Sequence, residues 1–185
     1  MTLSNQITIS RILAIPFALV LVLQTNPTWF LVGFILCFII GFSDFLDGYL
    51  ARKHGQITET GKFLDPLADK IFFGAAATAL VGFKLFPAWI LGLMLVREFL
   101  VTEIRIIAIQ QHVEVQVSGW GKAKTFAQFL TLFYLGLLRY LELNGTLCRP
   151  FSISINIAKY FLFISVASLT VLSMMQYIKK HQHIF

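Results

Sequence analysis

Charge is scarce in this chain. Only 13% of its 185 residues are Asp, Glu, Lys or Arg, where a soluble domain carries about 25%. Cysteine is nearly absent: Cys37 and Cys148 lie in unrelated segments, which excludes a disulfide scaffold and any cysteine-based zinc set. There is no internal repeat and no low-complexity tract. No basic stretch alternates with aromatics, so the net charge of +6 does not point to nucleic acid. What the chain has in excess is apolar surface: 57% hydrophobic residues and 19 Phe, with a mean hydropathy of +0.78. That excludes a disordered chain and an ordinary cytosolic globule. Lipid is the expected solvent, and residues 1–185 suit a single membrane domain.

A helix needs about 20 mostly apolar residues to cross a bilayer. Six segments qualify, near Ile7–Leu23, Trp29–Ala51, Asp65–Phe83, Pro87–Ile109, Lys124–Leu141 and Ile155–Tyr177. Asn26-Pro27, Phe86-Pro87 and Arg149-Pro150 break the chain between them. No small-residue cleavage site follows the first apolar run, so it reads as a retained helix. The expected fold is all-α, a polytopic membrane protein with six transmembrane helices. Six spans put both termini on one side, together with Arg11, Arg52, Lys53, Lys62, Lys122, Lys124, Lys179 and Lys180. Lys84, Arg139, Arg149 and Lys159 fall opposite. The bias makes the termini cytoplasmic. Trp29, Trp89 and Trp120 lie near span ends, where interfacial aromatics belong. The four histidines fall in loops or the tail.

The informative residues are ionisable ones inside apolar segments, where a charge costs at least about 2.5–3.5 kcal/mol. Asp44 and Asp47 are three apart on the second helix and share a face. Gly48 lies about 40° from Asp44 on the helical wheel, and Ala51 about 20°. The carboxylate face is therefore also the small-residue face, leaving room for a ligand. Asp65 and Asp69 are four apart on the third helix. Pro66 suits the first turn of that helix. Both pairs sit toward cytoplasmic ends, and the short connection Lys53–Leu64 makes the two helices neighbours. Four converging carboxylates raise one another's pKa and call for protons or a cation. An all-oxygen set selects a hard ion: Mg²⁺, Mn²⁺ or Ca²⁺. A pair of such ions suits displacement at phosphorus. The competing structural reading is a helix cap with salt bridges to Arg52 or Lys70. On the fourth helix Arg97, Glu98, Glu103 and Arg105 are also out of place, and the acids are natural partners for the arginines.

The stretch from Asp44 to Asp69 reads D-x2-D-G-x2-A-R-x8-G-x3-D-x3-D, with eight fixed residues over 26 positions. It resembles the signature of the CDP-alcohol phosphatidyltransferases at every fixed position. The resemblance implies a six-helix membrane domain, a homodimer, with an active site open to the cytoplasm at the inner membrane. It implies that Asp44, Asp47, Asp65 and Asp69 ligate two divalent ions, Mg²⁺ or Mn²⁺, and that Asp69 is the general base. It places Gly48, Ala51, Arg52 and Gly61, with Asp44 and Asp47, around the cytidine diphosphate. Further stretches, Asn5–Arg11, Asp65–Lys70, Arg97–Arg105 and Val117–Thr125, resemble the branch of the family that uses a glycerol phosphate acceptor.

The implied reaction joins CDP-diacylglycerol to sn-glycerol 3-phosphate and releases CMP. No Ser, Cys or His arrangement suggests a covalent intermediate, so direct displacement is simpler. The acceptor's phosphate needs cations, and Arg105, Lys122 and Lys124 are the candidates, with Arg11 and Arg97 behind them. Arg97 has a second reading as a structural partner of Glu98, and the two lysines as positive-inside anchors. Two other functions stay open. One is a sister enzyme of the family acting on inositol phosphate, serine or a phospholipid. The other is a divalent-cation transporter, against which Gly48, Ala51 and Arg52 have no purpose in a pore. The last third of the chain reads as ordinary apolar packing.

Overall fold

The computed structural model describes residues 3–54, 59–110, 119–146 and 152–180, with side chains described for 8–41, 67–108, 119–146 and 153–179. The described residues form six α-helices and no strand: α1 (Leu3–Val22), α2 (Pro27–His54), α3 (Glu59–Gly82), α4 (Ala88–Gln110), α5 (Gly119–Leu143) and α6 (Ser152–Lys180). Each expected apolar segment falls on one of them. Gly119–Leu143 and Ile153–Lys179 are long and apolar enough to cross a membrane, and Thr8–Val22 and Pro27–Gly41 are shorter apolar stretches.

The helix ends have local causes. Asn26 Oδ1 accepts the Thr28 N–H at 2.9 Å, so Asn26 caps α2 and Pro27 takes the first helical position, where its missing N–H is harmless. At the end of α5, Gly145 adopts φ +67°. The N–H of Gly145 then donates to the Glu142 carbonyl, and that of Thr146 to Leu141, both at 3.1 Å. This is the glycine-terminated C-cap that satisfies the last carbonyls of a helix.

Two boundaries differ from the sequence expectation. α3 begins at Glu59 rather than near Asp65, so Pro66 is not in its first turn but inside the helix. The residues from Glu59 to Lys62 are polar or glycine, and a reading based on apolar runs stops where polarity begins although the helix does not. α2 likewise continues through Arg52 and Lys53 to His54, a histidine expected in a loop. The described ends of α2 and α3 are therefore closer in sequence than the expected connection Lys53–Leu64.

The chain divides into two compact units. The first holds α1, α2, α3 and the end of α5 from Gly136. Within it α1 contacts both α2 and α3, which also contact each other. Ile15, Ala18, Ile40 and Phe72 form one apolar cluster, and Val22, Phe30 and Ala79 another. Glycine makes two close approaches here. A Cβ on Gly33 would lie 2.7 Å from both the Leu21 Cβ and the Val22 nitrogen, so α1 and α2 meet almost backbone to backbone. A Cβ on Gly136 would overlap the Phe34 ring, which is itself stacked on Phe30 at 6.2 Å between centroids. Arg139 lies over the Phe83 ring at 4.7 Å and bonds Glu142 at 2.8 Å.

The second unit holds α4, α5 as far as Leu135, and α6. α4 contacts α6, with Val101, Ile104 and Tyr177 clustered between them. Phe86 meets Phe163 edge to face at 5.5 Å. Large apolar side chains face outward in both units, including Phe17 in the first and Phe161 and Ile164 in the second. Trp29, Trp89 and Trp120 are exposed near the starts of α2, α4 and α5.

Candidate functional site

The carboxylates lie in the first unit. α2 is helical without interruption from Pro27 to His54, so Asp44, Asp47, Gly48, Ala51 and Arg52 all sit on continuous helix. α3 does the same for Gly61, Asp65 and Asp69. On a regular helix these spacings bring Asp44 and Asp47 onto one face, and Asp65 and Asp69 onto another. The side chains of Asp44, Asp47, Gly48, Ala51, Arg52, Gly61 and Asp65 lie outside the described residues. Asp69 is half-buried, beside fully buried Ala68. On α1, which contacts both aspartate-bearing helices, Thr8 and Arg11 are buried polar residues at 3% and 5% exposure.

The remaining expected cations are in the second unit. Arg97 and Lys124 are both buried. Glu98 joins them: its carboxylate pairs with the Lys124 ammonium and accepts from Arg97 Nη1 at 3.2 and 3.3 Å. Arg97 Nε donates to Ser173 Oγ of α6 at 3.2 Å. Ser173 in turn donates to the Thr170 carbonyl at 3.1 Å, and Thr102 Oγ1 to the Glu98 carbonyl at 2.7 Å. Three helices are thereby tied through one polar chain, in which the links of Glu98 to Lys124 and Arg97 are charge-assisted and of the stronger kind. The sequence reading of Arg97 as a partner of Glu98 describes what is observed. Arg105 is half-buried further along α4, and Lys122 is exposed on α5.

Sequence reasoning did not find the bridging role of Glu98 or the polar face of α5. Lys124, Gln128 and Thr131 are all buried there. Their spacing of four and three on an apolar helix is the pattern that reveals such a face.

The helical signature of α2 and α3, the all-helical architecture and the apolar exterior define a class. A profile of the CDP-alcohol phosphatidyltransferase family matches residues 1–171, and the chain belongs to that family. Among curated proteins it is similar to the CDP-diacylglycerol–glycerol-3-phosphate 3-phosphatidyltransferase of Haemophilus influenzae, at 35% identity over 94% of this chain and 89% of that one. The enzyme of the same name from Escherichia coli K12 is 35% identical over 93% of this chain and 90% of its own length. That from Bacillus subtilis is 39% identical over 70% and 74%.

Proposed function

We propose that this chain transfers the phosphatidyl group of CDP-diacylglycerol to sn-glycerol 3-phosphate, giving phosphatidylglycerophosphate and CMP in phospholipid biosynthesis. The observation that carries the reading is the complete eight-residue signature at 44–69, set on two contacting helices, in a chain whose similarity to enzymes of that name spans nearly its full length. The family match over 1–171 supports treating 1–185 as one functional domain.

The donor set suits a hard divalent cation. Asp44, Asp47, Asp65 and Asp69 offer only oxygen, in helical phase, on neighbouring helices of one unit. These four residues would hold Mg²⁺ or Mn²⁺, in a pair. Bound there, such ions would neutralise the diphosphate and stabilise negative charge on its oxygens as CMP leaves. The chain's own residues do the rest. Gly48 and Ala51 leave space for the cytidine diphosphate to approach the α2 backbone, and Arg52 and Gly61 complete that pocket. Asp69 takes the proton from the primary hydroxyl of the acceptor. The freed oxygen bonds to the phosphorus carrying diacylglycerol. The bond from that phosphorus to the bridging oxygen breaks, and CMP leaves with the electron pair. Positioning compensates for the low basicity of a carboxylate. Arg105, Lys122 and Lys124, with Arg11 and Arg97, are assigned to the acceptor's phosphate. We place the enzyme in the bacterial inner membrane as a homodimer, with six spans, both termini and the active site at the cytoplasmic side.

The test is CMP release by purified protein with CDP-diacylglycerol and Mg²⁺. Release should require glycerol 3-phosphate and fall by at least about a hundredfold in Asp69→Asn. Release with serine, inositol phosphate or a phospholipid instead would overturn the acceptor. Failure to release CMP with any acceptor, while the folded protein conducts divalent cations into vesicles, would overturn the enzymatic reading.

A further inference from the structure

Gln128 carries a donor that the fold does not use. It is 4% exposed, and its Nε2 has no hydrogen-bond partner among the described residues. An orphan buried donor costs about 1–3 kcal/mol, which a leucine of similar size would not incur. Such a group calls for an explanation outside the packing. Its surroundings on α5 supply one. Gln128 follows Lys124 by one turn and precedes Thr131 by three residues, so the three share a helix face. The Thr131 hydroxyl is spent on the Ala127 carbonyl at 2.7 Å. Lys124 is held by Glu98, which also holds Arg97. Arg97 is anchored from its other side by Ser173.

The second unit therefore fixes a lysine and an arginine through one shared carboxylate and sets a neutral amide donor one turn from the lysine. Cations that carry an anionic group, with a directional amide for a hydroxyl or ester oxygen, match a phosphorylated polyol. A fatty chain has no use for the amide.

We propose that Gln128 is a further acceptor-binding residue, its Nε2 donating to an oxygen of the polyol phosphate, and that Glu98 is a positioning residue that holds Lys124 beside it. The proposal rests on the reading of the chain as a phosphatidyltransferase with a glycerol phosphate acceptor. A phosphate-bearing ligand also arrives as the CDP-diacylglycerol donor, and the kinetics separate the two.

The experiment measures CMP release by the full-length protein in detergent, varying each substrate at saturation of the other, with thermal midpoints in parallel. Gln128→Leu should raise KM for glycerol 3-phosphate about ten- to a hundredfold, the worth of one buried hydrogen bond. KM for CDP-diacylglycerol should stay within about twofold. The thermal midpoint should hold or rise, because an orphan donor has been removed. Glu98→Gln should raise the same KM and lower the midpoint, and Glu98→Asp should restore part of the affinity. A Gln128→Leu enzyme with unchanged acceptor KM overturns the inference and leaves the function standing. A rise confined to the KM for CDP-diacylglycerol also overturns it, by assigning the amide to the donor. A wild-type protein inert toward glycerol 3-phosphate overturns the functional reading itself.

Discussion

Gly33→Ala adds one methyl group where two helices meet. Its new Cβ would sit 2.7 Å from the Leu21 Cβ and the Val22 nitrogen, and 2.9 Å from the Leu21 carbonyl carbon. Ordinary contact begins at 3.4 Å, so α1 and α2 must separate by about 0.7 Å at this point. No flexible side-chain end is available to give way, because the opposing atoms are backbone or bonded directly to it. The shift passes to the apolar cluster of Val22, Phe30 and Ala79 at the same crossing. Overpacking of this kind costs about 1–3 kcal/mol, and rigid opposition puts Gly33 toward the upper end. Alanine returns up to about 1 kcal/mol as the better helix former. The net expectation is a loss of about 1–2 kcal/mol. At roughly 2–4 °C per kcal/mol for a chain of this size, the thermal midpoint in mild detergent falls by about 2–8 °C. Gly92 in α4 is the control, with nothing within 4 Å of a built Cβ. Gly92→Ala should leave the midpoint unchanged or raise it by about 2–4 °C. Equal midpoints for the two variants would refute the backbone-to-backbone contact.

Other perturbations probe other parts of the molecule. Ser173→Ala removes the acceptor for buried Arg97 Nε and should cost about 1.5–3 kcal/mol in thermal unfolding, whereas Ser168→Ala at an exposed position of α6 should stay within about 0.5 kcal/mol. A chelator should abolish CMP release, and either Mg²⁺ or Mn²⁺ should restore it. Persistence of full activity in excess chelator would remove the metal from the proposed mechanism. The six-span topology predicts that Lys84→Cys reacts with a membrane-impermeant thiol reagent from outside the cell, and that Lys122→Cys reacts only once the membrane is opened, both read in a Cys37→Ser, Cys148→Ser background. Reversed labelling would invert the orientation.

Every one of the six helices was legible in the sequence, because each contains an apolar run that nothing but burial or lipid can accommodate. Their ends were legible only where a breaker marks them. Asn26-Pro27 announced the start of α2, and Phe86-Pro87 that of α4 at Ala88. The start of α3 was not, since Glu59 to Lys62 is helix without being apolar. The candidate site divides in the same way. The phase of Asp44 with Asp47 and of Asp65 with Asp69 is intrahelical and follows from spacing alone. The pairing of Arg97 with Glu98 joins neighbours in sequence and was also within reach. The bond from Arg97 to Ser173 spans 76 residues, and no pattern along a single chain encodes it. Nor does one reveal that Glu98 reaches across to Lys124, or that Gln128 is left with an idle donor. Those facts exist only once α4, α5 and α6 are assembled.

That assembly has a consequence for the order of synthesis. Arg97 finds its serine on α6, which is made after it, and Glu98 finds its lysine on α5. On the six-span reading, a nascent α4 would carry Arg97 and Glu98 toward hydrocarbon before their partners on α5 and α6 exist. On the six-span reading, α4 lingers at the insertion machinery or the membrane surface until the C-terminal helices emerge. A chain truncated before Ser152 would strand Arg97 without its serine and give quality-control proteases their substrate.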